Sequence, residues 1–152
     1  MRKSKLYVCF LIIILICSGV GLYAYFHLQS KTRDLKMIKI GSQSLNVEIA
    51  NTEELRELGL GNRDAIGSAD GMLFVFDTPG TYGFWMKDMK FDIDILWIDK
   101  DQKVIGFEKN VSKNSYPQVF YPKKEVKYSL ELKAGSIDEQ GIKVNDLLSP
   151  TF

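Results

Sequence analysis

Cysteine and histidine are nearly absent from this sequence, and where the few copies fall matters more than their number. Cys9, Cys17 and the single histidine, His27, all lie within the first 28 residues. Everything downstream therefore lacks a thiol nucleophile, a thiolate metal site, an imidazole general base and a histidine ligand for zinc. Eight helical positions part the two cysteines by about 12 Å, beyond disulfide reach. A cysteine-free domain is compatible with an oxidising compartment without proving one. No G-x-S-x-G elbow and no phosphate-binding P-loop occur. Gly59-x-Gly61 is half of a dinucleotide fingerprint, with neither the third glycine nor a βαβ setting. Asp99-x-Asp101 begins like a calcium loop, but Gln102 and Lys103 follow where a ligand and a glycine should stand. A plain hairpin turn is the expectation there, with no metal and no cofactor anywhere in the chain.

An excess of one charge is missing too. The chain has 20 Lys+Arg and 19 Asp+Glu, and Arg2, Lys3 and Lys5 precede the apolar leader. That leaves seventeen cations against nineteen acids beyond it, a formal charge of −2. No basic stripe exists for a nucleic acid to follow, so none is expected as a partner. Lys123 and Lys124, beside Glu125, read as a solvated face. There is no internal repeat and no low-complexity segment.

What is present starts with Leu6–Phe26, which carries no charged side chain. About 20 apolar residues in a helix cover the hydrocarbon layer of a bilayer. Tyr23, Tyr25 and Phe26 resemble an interfacial belt and crowd the place where a signal-peptidase site needs small residues. Ile16 stands before Cys17, where a lipoprotein site needs a small residue. An uncleaved anchor is therefore expected over a cleaved signal or a lipoprotein. With the stronger cationic cluster in front, residues 1–5 should be cytoplasmic, 6–28 transmembrane, 29–36 a polar tether and 37–152 one extracytoplasmic domain.

That domain reads as β-rich. Met37–Ile40 and Leu45–Ala50 flank Gly41-Ser42-Gln43-Ser44 as a hairpin. Asn51 with Glu54 suggests a capping box for a short helix with Leu55 and Leu58 on its apolar edge, ended by Gly59. The run Leu73–Phe76 is uniformly apolar, as in a strand buried on both faces. Pro79-Gly80 suits a type II turn returning into a strand in which Tyr82, Phe84 and Met86 oppose Gly83, Trp85 and Lys87. In the next strand Phe91, Ile93 and Ile95 oppose Asp92 and Asp94. After the turn at 99–102 comes a strand at 103–111. Further on, Tyr128, Leu130 and Leu132 oppose Ser129 and Glu131. Ser136 with Glu139 suggests a second capped turn ending at Gly141, before a closing strand at 142–148. Many strands and two brief helices predict a mainly β, mostly antiparallel α+β fold, a small barrel or curved sheet, without alternating βαβ units.

Several of these stretches together resemble a known family, the small bacterial and archaeal domain of unknown function 192. The residues that carry the likeness are Val47-Glu48-Ile49-Ala50, Gly59-Leu60 with Arg63, and Gly71–Phe76. They continue with Phe84-Trp85-Met86-Lys87, Asp94-Ile95-Leu96 with Ile98-Asp99, and Leu130-Glu131-Leu132 with Ala134-Gly135. Gly141-Ile142 and Asp146 close the set. The chain departs from the pattern at Gly61, at Asp92 where a proline is common, at Asp88-Met89, and at Val144-Asn145. The resemblance spans residues 37–148 and implies a compact β-rich fold, often exported, with no reaction attached.

Within the matching blocks the polar residues are Glu48, Arg63, Lys87, Asp94 and Glu131. Two readings follow. In one, they share a surface or channel in which Arg63 and Lys87 hold an anion and a carboxylate acts as acid or base. A pair chosen from Glu48, Asp94 and Glu131 would then suit glycoside hydrolysis, which needs neither histidine nor metal. In the other, Arg63 and Lys87 neutralise Asp94 or Glu131 in structural ion pairs. Trp85 either offers a flat binding platform beside Gly83 or covers the core, whereas Trp97, Phe74 and Phe76 read as core. The candidate ligand-binding set is Arg63, Trp85, Lys87, Asp94 and Glu131. The expected role is a non-enzymatic, membrane-anchored binding module of the cell envelope, meeting the bilayer through 6–28 and an envelope protein or glycan through the domain. A carboxylate-dependent hydrolase acting on glycans or envelope polymers is the alternative.

Overall fold

A computed structural model describes residues 35–150. The expected anchor, most of the tether, both cysteines and His27 lie outside them. Among the described residues no helix is long and apolar enough to cross a membrane.

Nine strands and two short helices make up this part: β1 (Leu35–Ile40), β2 (Gln43–Ala50), α1 (Glu53–Leu58), β3 (Gly71–Gly80), β4 (Phe84–Trp85), β5 (Ile93–Ile98), β6 (Val104–Val111), β7 (Val119–Phe120), β8 (Val126–Lys133), α2 (Ser136–Glu139) and β9 (Leu148–Ser149). Seven strands form a curled half-barrel sheet in the order β6-β5-β8-β3-β2-β1-β9. β4 and β7 form a separate two-stranded ribbon.

Alternation along the strands sends apolar side chains to both faces, so the sheet carries two cores. Leu73, Leu96, Leu130 and Leu132 belong to one, together with Ile137 of α2. Met72, Phe74, Ile95 and Trp97 belong to the other, with Leu60, Phe84 and Met86 folded over them. These are called here the Leu130 face and the Glu131 face. Double coverage explains why all six residues of β5 are buried. Phe74, Phe76 and Trp97 are core, as the sequence leads one to expect.

β2 and β3 run parallel, the one parallel pair of a mostly antiparallel sheet among the described residues, because the 20-residue stretch 51–70, containing α1, carries the chain back to the same end of the sheet. Four local expectations are corrected. β3 continues through Pro79-Gly80 and is not followed by a hairpin; β4 pairs with β7 instead, Phe84 opposite Phe120 and Trp85 opposite Val119. Thr52, not Asn51, caps α1, its Oγ1 accepting from the Leu55 amide at 3.3 Å. The closing strand shrinks to Leu148–Ser149, and the first strand begins at Leu35, inside the expected tether. Gly59 does end α1, with φ of 48°, and 99–102 is a plain turn in which Asp99 Oδ1 accepts from the Asp101 and Lys103 amides.

Candidate functional site

Strand register decides which candidate residues meet. Glu48 on β2 is level with Met72 on β3, Met72 with Glu131 on β8, and Glu131 with Ile95 on β5. Paired residues point the same way, so Glu48 and Glu131 share the Glu131 face, two strand spacings or roughly 10 Å apart at the backbone. Asp94, next to Ile95, points to the Leu130 face. The expectation of one surface shared by all the strand carboxylates is therefore wrong for Asp94, and an Asp94–Glu131 catalytic pair is ruled out.

Each charge has a different fate. Asp94 is fully buried and is satisfied by main chain: Oδ1 accepts from the Asn110 amide at 2.8 Å and Oδ2 from the Ile137 amide at 3.0 Å. It thereby caps α2, for which Ser136 provides no side-chain cap. Arg63 clamps Glu48 through two hydrogen bonds of 2.7 and 2.9 Å. Neither Arg63 nor Lys87 neutralises Asp94 or Glu131, and Arg63 is not free to take an anion. Lys87 lies beyond the end of β4, exposed, with no ion pair among the described residues.

Glu131 is the exception. It is 6% exposed, and its Oε2 has no hydrogen-bond partner among the described residues. Burial alone, with no opposing charge, pushes its carboxyl up from 4.5 to about 8, so it holds its proton at neutral pH. A buried polar atom left unsatisfied costs on the order of 1–3 kcal/mol, and proteins keep such atoms mainly where something else makes use of them.

Glu131 opens into a cavity of about 420 Å³. One wall is α1 and the loop after it, from Glu53 to Gly61; the others come from the far half of β3 and from residues 82–89 around β4. Trp85, Lys87 and Glu131 of the expected set line it, whereas Arg63 and Asp94 do not. Phe74 and Phe84 meet edge to face at 5.0 Å, and Phe76 stacks on Tyr82 at 3.7 Å. Tyr82 is pinned by donating its hydroxyl proton to the Thr78 carbonyl at 2.8 Å. Arg56 of α1 donates to the Val75 carbonyl at 2.8 Å and lies 5.7 Å from the Phe76 ring centre. Opposite, Asn62 and Asp88 both hold positive φ, 61° and 58°, and the Asn62 amide donates to the Asp88 carbonyl at 2.8 Å. That strained pairing ties the α1 wall to the chain carrying Lys87.

Trp85 is 53% exposed at this cavity, which removes it from the core. Phe84 and Phe120 face inward on the ribbon; Trp85, Val119, Gly83 and Tyr121 share its outer side. The space beside Gly83 belongs to its cross-strand neighbours, since a β-carbon there would stand 2.7 Å from both Tyr121 and Val119. Tyr121, 57% exposed, is thus diagonal to Trp85 in the ribbon register, so both exposed aromatic residues stand on its outer side. Tyr121, Tyr82 and Arg56 are additions to the set expected from sequence. Only the β4–β7 pairing, which sets Trp85 against Val119 across 34 positions, brings Tyr121 into play.

The profile of the DUF192 family, described as an uncharacterized ACR, matches residues 36–150, and the chain belongs to that family. No curated protein matches it. Among solved structures it is similar to a protein named as a candidate transcription regulator from Sinorhizobium meliloti 1021. The identity is 27% and the TM-score 0.72, over 78% of this chain and 95% of that one. It is also similar to a protein of unknown function from Novosphingobium aromaticivorans DSM 12444, at 22% identity and a TM-score of 0.71, over 76% of this chain and 85% of that one; this second likeness bears on fold alone.

Proposed function

We propose that this protein is a non-enzymatic binding module of the cell envelope, held to the membrane by residues 6–28 with its β-rich domain on the extracytoplasmic side, and that its ligand is a glycan. The charge-free leader behind Arg2, Lys3 and Lys5 supports the topology. The observation that carries the binding reading is Glu131: a buried acid with an orphaned oxygen, at the end of an aromatic-walled cavity. Sugar rings present an apolar face that suits Trp85 and Tyr121, and hydroxyls that suit a neutral carboxyl able both to donate and to accept. Of the three carboxylates considered for hydrolysis, only Glu131 lines the cavity, and Glu48 is committed to Arg63. The regulatory role named for the S. meliloti protein finds no basic stripe here to support DNA contact.

Co-sedimentation of the full-length, detergent-solubilised protein with purified, insoluble envelope glycan tests the reading. The wild-type chain should pellet with the polymer, and Trp85→Ala combined with Tyr121→Ala should leave it in the supernatant with an unchanged melting temperature. A wild-type chain that stays in solution, or a double variant that still pellets, contradicts it.

A further inference from the structure

We propose that the floor of the cavity is an amine site: the sugar unit that stacks on Trp85 carries a free primary amine, and Glu131 receives it as its ion-pair partner. This rests on the glycan reading above and adds the chemical class of the unit. The missing element at Glu131 is a hydrogen-bond partner, because Oε2 is buried without one, with Met72 and Ile95 level with Glu131 on the flanking strands. A hydroxyl would supply a neutral hydrogen bond. An amine supplies more: the Glu131 proton passes to the entering nitrogen, leaving a carboxylate facing an ammonium and a charge-assisted bond roughly twice as strong.

The surroundings favour positive charge. Glu53, Glu57 and Asp77 line the cavity against two cations, Arg56 and Lys87. Arg56 is already committed to the Val75 carbonyl and lies 3.7 Å from Asp77. Lys87 is exposed, and its flexible ammonium can turn to solvent as the ligand enters. Phe74 and Trp85 line the cavity as well, and aromatic rings attract a cation that has left water. Because burial holds the empty site in its protonated, neutral form, no bare charge is stranded there before the ligand arrives.

Calorimetric titration of the full-length protein in detergent with two soluble probes decides the matter: a β-1,4-linked glucosamine tetramer and its fully N-acetylated counterpart. The free-amine tetramer should bind at least about tenfold more tightly. Glu131→Gln, which keeps the shape but can neither ionise nor transfer a proton, should bring the two within about twofold. Equal binding of the two probes by the wild type overturns the amine site, as does a preference that survives in Glu131→Gln. The glycan reading stands in those cases if Trp85→Ala weakens both probes alike. Binding of neither tetramer also overturns the amine site, and the co-sedimentation result then shows whether the glycan reading falls with it.

Discussion

Asp94 and Glu131 sit on neighbouring strands, one register step apart, and both carboxyls are removed from solvent. One is surrounded by main-chain donors; the other has an oxygen with none among the described residues. Their difference separates a carboxylate that builds the fold from one that the fold tolerates. Asp94 ties β6 and α2 to β5, so its burial contributes to stability. Glu131 ties nothing through Oε2, and its burial costs stability for a group left facing a cavity.

The sharpest way to break this contrast is to remove each group. Asp94→Ala leaves two buried amides without acceptors and should cost about 4 kcal/mol, read from denaturant unfolding of the detergent-solubilised chain. A loss under about 1 kcal/mol would mean that water or another group replaces the carboxylate.

The next effect is one of pH. Folded Glu131 keeps its proton to about pH 8, whereas the unfolded chain gives it up near 4.5. The folded state therefore binds more protons between these values, and stability falls as pH rises from about 4.5 to about 8, then levels off. The slope should not exceed about 1.4 kcal/mol per pH unit, and the wild-type minus Glu131→Gln difference isolates it. Matching slopes in the two chains would remove the buried acid from the account.

A change of opposite sign to that at Asp94 is expected from Glu131→Leu. It replaces an unsatisfied group by an apolar one beside Met72 and Ile95 and should stabilise by about 1 kcal/mol while abolishing capture of the free-amine tetramer. Destabilisation would show that the carboxyl makes a structural contact after all. The smallest change is Trp85→Ala: a half-exposed ring should alter stability by less than about 0.5 kcal/mol yet weaken glycan binding strongly.

Much of this arrangement is legible in the sequence, and the reasons are local. Alternation within Val126–Lys133 places Glu131 opposite Leu130 and Leu132, and the unbroken apolar run of β3 announces a strand covered twice. Period-two reading also separates Phe84 and Met86 from Trp85. Where inference from sequence fails, the deciding contact is distant. Alternation cannot say which face of β5 aligns with which face of β8, so Asp94 and Glu131 look like neighbours on one surface until the Ile95–Glu131 register is known. The Arg63 clamp on Glu48 spans 15 positions and the Asp94 cap on α2 spans 43. Pro79-Gly80 has the chemistry of a tight turn, but β3 carries on through it because Gly80 pairs with Val126 after a bulge. The DUF192 assignment is legible from short blocks, since the profile covers the same stretch as the quoted motifs.

Titration of the Glu131 side-chain carboxyl by carbon NMR, in selectively labelled full-length protein without ligand, tests the central claim most directly. A midpoint near pH 8 is expected for an acid buried without a partner. A midpoint at the ordinary 4.5 would mean the carboxylate is solvated or paired, and the cavity would lose the group on which its proposed binding depends.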